Sequence, residues 1–429
     1  MTLSNEQRWA GLPADVVERF RPLVESIAVD ARRRDRDREL PAAELAALRD
    51  AGLSRARLPR DLGGLGLDWR AFGRLLIVVA AADPNLPQIL RGHIALTEQA
   101  LTTTDRAFAE RWSARIAAGD IAGNAWSEAS GSTTARAATE LVEDADGTLR
   151  ITGRKFYTTG SIFAEWTDTV AHRLSDGTDV AALVALDQPG VEVFDDWDGF
   201  GQRLTGTGTI VFDGAVVDPA DVLPVPERFG YQTGLYQFVL LAVLAGIARA
   251  AVDDAADAVR SRSRVYSHGT AATVRDDPQI QALIGELSAS AHAVEATVLT
   301  VADALENAYR ATLAHRDRPD DEAASAAKQA VGLAEIRAAQ AQSFATAEVQ
   351  GLTSRLFDTL GASATSRDAG LDRHWRNART VSSHNPVLFK NRWIGAWELN
   401  DELPQPLWAV GTPADTASVP VAAASAPAS

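Results

Sequence analysis

The 429-residue chain is 46% hydrophobic and only 7% aromatic, carries a formal net charge of -15 and contains no cysteine. That length supports a sizeable core and two or three domains, and the acid excess repels phosphate backbones, which sets the chain against nucleic acid as a partner. Zero cysteines exclude disulfides, thiolate zinc sites and cysteine nucleophiles, and leave the redox compartment open.

Residues 1–30 mix charged and apolar residues without an uninterrupted apolar core, so no secretory segment is expected to open the chain. The abundance of alanine and leucine favours a mainly helical protein. Over residues 1–120, Pro41 can open a helix, because a first-turn proline loses no intrahelical bond. Leu40, Leu45, Leu48 and Leu53 keep approximate helical spacing, and Pro59, Gly63, Gly64 and Gly66 turn the chain. Asp68 is placed to cap a helix over Trp69–Ala82, which Pro84 ends. Across residues 121–228 the texture changes to short β-rich runs at 149–152, 180–186 and 209–212, separated by Gly, Asp and Thr at hairpin-like intervals. This predicts a small antiparallel β domain inserted between helical parts.

Helical patterning returns over residues 229–405. The longest apolar run, 238–248, stops at Arg249 and falls short of the about 20 residues that span a bilayer. It predicts a buried helix in a soluble, cytoplasmic protein without membrane contact. Ile284, Leu287, Ala291, Val294, Val298, Val301 and Leu305 advance by steps of three and four, a single core stripe along a long helix of an antiparallel bundle. A second alanine-rich helix is expected over 323–350, with Pro319 and its flanking aspartates in the loop between them. The tail, 406–429, is Ala, Ser, Pro and Thr with little to bury, and is expected to be disordered. The fold class is therefore mainly α with an inserted β domain. No histidine pair has H-E-x-x-H spacing and no G-x-S-x-G occurs, so neither a metal site nor a serine triad is expected.

Three runs carry more than fold. The first is Leu40-Pro41 through Gly52-Leu53, followed by the turn at 63–66. The second is Trp126-Ser127-Glu128-Ala129-Ser130-Gly131-Ser132. The third is Ile151-Thr152-Gly153-Arg154-Lys155-Phe156-Tyr157-Thr158-Thr159-Gly160. Their order and spacing across residues 40–405 resemble the acyl-CoA dehydrogenase superfamily. The resemblance implies an N-terminal helical domain, a middle antiparallel β domain and a C-terminal four-helix bundle. It also implies a flavin held by Trp126, Ser127, Ser132, Tyr157, Thr158 and Thr159. The chemistry agrees: a flavin needs donors near N5, N1 and the pyrimidine carbonyls, and an aromatic or apolar wall. Ser127 and Thr159 can donate, and Tyr157 or Trp126 can form the wall. Each of Ser127, Thr158 and Thr159 taken alone is equally an ordinary turn or strand residue.

Gly206-Thr207-Gly208 precedes a strand rather than a helix, so it is no dinucleotide fingerprint, and no P-loop is present. By the resemblance, the arginine that reaches a neighbouring subunit's flavin falls near Arg264, with Arg262 and Arg275 as rivals.

Dehydrogenases of this family remove an α-proton with a carboxylate. In the matching stretch, 376–386, the glutamate's place falls at Asn385, beside His384, and no Asp or Glu occurs from 373 to 397. An amide cannot accept a proton at neutral pH. A dehydrogenase survives as an alternative because some branches carry the base on another helix. The run Ser383-His384-Asn385-Pro386 followed by Lys390, together with the run at 199–209, resembles instead the flavin-dependent monooxygenase branch of the dibenzothiophene monooxygenase type. That resemblance implies a two-component enzyme. A separate reductase supplies reduced flavin, FMN before FAD, which forms a C4a-hydroperoxide with O2. An oxygen atom then passes to a small apolar, organosulfur or aromatic substrate; N-hydroxylation of an amine is a further alternative. His384 is assigned the proton work, since the unperturbed imidazole pKa is about 6.5. Asn124 and Ser161 are assigned hydrogen bonds to the peroxide or flavin N5, and Asn385 a place beside the cofactor. His93 is assigned to line the pocket, with Thr97 where the branch can carry an aromatic hydroxyl. Relatives are homotetramers assembled through the C-terminal bundle, which sets the same expectation here.

Overall fold

The computed structural model describes residues 6, 8–128 and 137–404. Ser132 and the tail 406–429 lie outside the described residues. The chain opens with helices α1 (Ala14–Asp37), α2 (Ala42–Asp50), α3 (Trp69–Ala82), α4 (Asn85–Ile89), α5 (Arg91–Thr102) and α6 (Arg106–Ala118). Pro41 occupies the residue before α2. Asp68 caps α3 by accepting the Ala71 amide at 2.8 Å. Asp68→Ala is expected to cost about 1 kcal/mol of stability, read as a lower melting temperature; no change would mean that the packing of α3 alone sets its start.

The middle segment forms a sheet from β1 (Ala122–Ala125), β2 (Glu140–Glu143), β3 (Leu149–Lys155), β4 (Trp166–Arg173), β5 (Thr178–Ala185), β6 (Val191–Phe194), β7 (Thr209–Val217) and β8 (Val222–Pro224). The order is β6-β7-β3-β2-β4-β5-β8, with β1 paired to β4. The sheet is mixed, not antiparallel as the hairpin-like spacing suggested: β1 and β2 both run parallel to β4, while the remaining pairs are antiparallel. A parallel pair needs a long return connection, and the chain between β1 and β4 supplies one that contains β2 and β3. β1 reads Ala-Gly-Asn-Ala, which has little intrinsic β character. Its ladder to residues 166–169 and full burial make it a strand.

The C-terminal part consists of α7 (Gln232–Ser261), α8 (Pro278–Asp317), α9 (Asp321–Arg355), α10 (Asp372–Ser382) and α11 (Val387–Asn400). On α8, the stripe from Leu287 through Ala291, Val294, Val298, Val301 and Leu305 is buried, facing α7 and α9, and Ile284 is half-buried at its end. By length and composition α7 is long and apolar enough to cross a membrane, yet 83% of its most apolar window is buried inside the fold. Trp69 of α3 meets Phe238 of α7 edge-on, with ring centroids 5.6 Å apart. This packing sets the start of α5, the rim of the sheet and the end of α10 around one cleft.

Candidate active site

The cleft holds about 500 Å³ and is lined by Gln88 and Arg91 from α4–α5, Asn124 and Ser127 at the end of β1, and Tyr157 and Thr159 after β3. Trp197, Phe200, Gln202, Thr205 and Thr207 come from the loop before β7, and Thr380, Ser383 and His384 from the end of α10. Local backbone bonds bring these segments together. The Asn124 amide donates to Thr159 O at 3.1 Å, and the Gly160 amide to Thr205 O at 3.1 Å. Gly160 has φ +83°, and a Cβ there would collide with the Ile89 carbonyl oxygen, so only glycine lets α4 approach this turn. Gly201 packs equally closely on the Arg376 carbonyl of α10.

Two non-glycine residues on the rim, Tyr157 (φ 56°) and Gln202 (φ 50°), sit in the left-handed region. Such residues cost roughly 1–3 kcal/mol and persist where the surroundings over-determine them. Here the Gln202 amide donates to Asn377 Oδ1 at 2.6 Å, and the Thr158 amide and hydroxyl both donate to Gly208 O at 3.0 Å. Tyr157 meets Trp197 edge-on at 6.0 Å, and Phe200 stacks on Trp375 at 5.8 Å, which gives the mouth an aromatic wall.

The hydroxyls form a directed chain. Thr205 Oγ1 donates to Gln202 O at 3.0 Å, which spends its only proton. It must therefore accept from Thr207 (2.8 Å), and Thr207 in turn from Thr159 (2.8 Å). Thr159 consequently presents lone pairs to the cleft rather than the donor proposed from sequence. Among the described residues the Asn124 carboxamide and the Ser127 hydroxyl have no protein hydrogen-bond partner, and the His384 ring reaches only its neighbour Asn385. Buried Gln88 Oε1, Arg91 Nε and both amide atoms of Gln202 are also unpartnered. Buried polar atoms are ordinarily satisfied, so this cluster fits a polar ligand. The volume, the aromatic wall and the polar groups of Asn124, Ser127, Thr159 and Gln202 together suit an isoalloxazine ring.

His384 borders the cleft. Surrounding protein first, and the Arg91 cation second, hold its pKa below the ordinary imidazole value, so the ring is neutral at pH 7. This corrects the expectation of an unperturbed imidazole. Burial lowers Arg91 to about 10, still a cation at neutral pH. With His384 neutral, Arg91 is the one charged side chain among the described residues that line the cleft, and none of those residues is a carboxylate.

The other residues expected at the site stand behind it. His93 is fully buried: Nδ1 accepts the Ala122 amide at 3.3 Å, so Nε2 carries the proton and donates to Ser54 O at 2.8 Å. Burial pushes its pKa down to about 4. It braces α5 against β1 instead of lining the pocket. Thr97 Oγ1 donates to His93 O within α5. Ser161 is buried with its hydroxyl 3.1 Å from Thr167 Oγ1, and Thr158 is turned toward Gly208. Trp126 lies under the Arg228 guanidinium, 5.5 Å from its ring centre, and does not form the wall. Asn385 points into the bundle, donating to Gln237 Oε1 at 2.9 Å while its carbonyl accepts from Gln342 at 2.9 Å. Arg264 and Arg275 are exposed on the loop between α7 and α8, outside the cleft. Arg262 on the same loop rests over Tyr266 at 5.2 Å.

Sequence reasoning assigned no role to Gln88, Arg91, Trp197, Phe200 or Gln202. The run 199–209 contained the last two within a recognised motif, whereas nothing local marks Gln88.

Two family models match the chain: acyl-CoA dehydrogenase N-terminal domain over residues 15–120 and acyl-CoA dehydrogenase C-terminal domain over 238–388. The dibenzothiophene monooxygenase of Mycolicibacterium goodii is 27% identical over 426 residues, covering 95% of this chain and 99% of the relative. The probable FMNH2-dependent monooxygenase SfnC of Pseudomonas putida is 26% identical over 396 residues, covering 90% and 95%. The crystal structure of TdsC from Paenibacillus sp. A11-2 with FMN and indole superposes with a TM-score of 0.81 at 30% identity, covering 93% of this chain and 99% of that one. With both family domains in order on either side of the sheet, and a likeness that runs almost end to end, the chain belongs to the acyl-CoA dehydrogenase superfamily, in its flavin-dependent monooxygenase branch.

Proposed function

We propose that this chain is the oxygenase component of a two-component monooxygenase that uses reduced FMN and O2 to oxygenate a small, largely apolar substrate. The observation that carries this is the cleft lining: among the described residues it offers a neutral histidine, an asparagine and a set of hydroxyls, with no carboxylate to remove an α-proton. Bound reduced FMN supplies the two electrons that let one atom of O2 enter the substrate while the other leaves as water. The protein's share is binding, proton handling and exclusion of water. Asn124, Ser127, Thr159 and Gln202 offer polar contacts to the isoalloxazine, and Tyr157, Trp197 and Phe200 cover the mouth. A nitrogen of the neutral His384 ring takes or returns the proton that the reaction requires.

A separate reductase supplies the reduced flavin, since the chain has no dinucleotide fingerprint of its own. Relatives named for dibenzothiophene, and a structural neighbour holding indole, support a compact aromatic or organosulfur substrate. We place the enzyme in the cytoplasm as a homotetramer. On α11, Leu388, Phe389 and Leu399 are exposed and suited to contact between copies. Arg264 and Arg275, exposed away from their own cleft, are then placed to serve a neighbouring subunit's flavin phosphate. Light scattering that gives a monomer would remove both assignments.

The test is to mix the anaerobic complex with reduced FMN and then with ¹⁸O2 and candidate substrates. Label in the product, dependent on reduced FMN and absent with acyl-CoA, is expected. Bleaching of bound FAD by an acyl-CoA, without label transfer, would return the chain to the dehydrogenases.

A further inference from the structure

Arg91 is held in an unusual state for an arginine. It is 5% exposed, makes no hydrogen bond to any described residue, and has no acidic group beside it. Its guanidinium lies over the face of Tyr236, 5.0 Å from guanidinium carbon to ring centre. Buried arginines elsewhere in this chain are paired: Arg34 with Asp83, Arg57 with Glu98, and Arg228 with Asp168. An unpaired buried cation is costly and is retained where something else completes it. The cleft gives Arg91 that opportunity, since it lies on the wall next to His384 and no carboxylate competes for it.

We propose that Arg91 is a specificity-determining residue that binds an oxyanion, a carboxylate or sulfinate, carried on one end of an otherwise apolar substrate. The assignment rests on the reading of this cleft as the oxygenation site and names the substrate class that site takes. The planar guanidinium presents parallel N–H donors that match two oxygens of such a group. Charge works the same way: the chain as a whole carries -15, yet the described residues that line the cleft carry a single positive charge. A cationic amine meets repulsion there, which sets the site against N-hydroxylation of a protonated amine.

The test uses the full-length protein saturated with FMN. FMN binding is measured first, by quenching of flavin fluorescence, because its failure sinks the functional reading itself. Benzoate and benzenesulfinate are then titrated against their neutral counterparts, benzamide and methyl phenyl sulfoxide, by calorimetry and thermal shift. The two anions are expected to bind about tenfold or more tightly than the neutral molecules. Comparing the two anions distinguishes a carboxylate from a sulfinate. Arg91→Met and Arg91→Gln should erase that preference while FMN affinity stays within about threefold; Arg91→Lys should keep part of it. Both neutral variants should melt at or above the wild-type temperature without ligand, because an uncompensated buried charge is gone. Equal binding of anions and neutral molecules by the wild type, no binding of either, or a preference that survives in Arg91→Met would overturn the assignment. Parallel loss of FMN affinity in both neutral variants would also overturn it, by giving the guanidinium to the flavin.

Discussion

His384→Ala is expected to lower product formation by about 10²–10⁴-fold, the usual worth of a positioned proton donor or acceptor, while the protein stays folded and binds FMN. The lining explains why nothing nearby substitutes for it. Arg91 remains a cation, Asn124 and the glutamines do not titrate, and the hydroxyls of Thr159, Thr207 and Thr205 are tied into a chain that ends on the Gln202 carbonyl. Reduced FMN should still be consumed in the variant, so hydrogen peroxide released per FMN oxidised rises as product falls. His384→Asn should behave like alanine, since an amide holds a hydrogen bond but moves no proton. The pH profile gives an independent reading. The surrounding protein and the Arg91 cation both lower the imidazole pKa, although the ring edge reaches solvent at the cleft mouth, so the neutral working form persists below pH 6.5. Arg91→Met removes one of those causes, raises the His384 pKa, and should shift the acid limb of the wild-type profile toward neutral pH. Turnover in His384→Ala within threefold of wild type would remove the ring from the mechanism.

Local rules read well from sequence where one segment determines the outcome. Asp68 caps α3 because its own side chain reaches the amide three residues on, and the α8 stripe is buried because its spacing leaves no other face for the core. The segments assigned to a flavin are legible as motifs, and His384, Asn124, Ser127, Tyr157 and Thr159 do meet at one cleft. Legibility fails where the deciding fact is rotation or a distant partner. Arg91 and His93 lie two residues apart, and such residues on a helix point about 200° away from each other. The fold turns Arg91 to the cleft and His93 to Ser54. Asn385 and His384 part in the same way at the end of α10, one toward Gln237 and the other toward the cleft. Thr159 passed for a donor because only the positions of Thr205, Thr207 and the Gln202 carbonyl, remote in sequence from it, fix where its proton goes.

Arg57→Met is expected to be the most destabilising single change, at about 3–5 kcal/mol, the range for breaking a buried ion pair from one side. Glu98 on α5 is fully buried; it accepts Arg57 Nε at 2.9 Å and the Tyr231 hydroxyl at 2.6 Å. Arg57 also donates to Leu67 O at 2.7 Å and lies between the rings of Trp69 and Tyr309, at 4.6 and 4.9 Å from their centres. Burial alone would lower the Arg57 pKa, but the Glu98 carboxylate outweighs it, so the guanidinium stays charged. Burial and Glu98 raise the Tyr231 pKa, which keeps the phenol a neutral donor. Removing the guanidinium leaves the carboxylate in the core with one hydroxyl for company. Tyr231→Phe removes a weaker bond to the same charge and should cost about 1.5–3 kcal/mol. The double variant Arg57→Met/Glu98→Gln should recover part of the loss, because it no longer strands a charge. Melting temperatures at one protein concentration and without flavin make the comparison. A wild-type-like melt for Arg57→Met, within about a degree, would show that the Arg57–Glu98 pair adds nothing to stability. The same cluster ties α5 to α7 and to the start of α3. Since α5 begins at Arg91, loosening it should also weaken the anion preference at the cleft, some seven residues up the helix from Glu98.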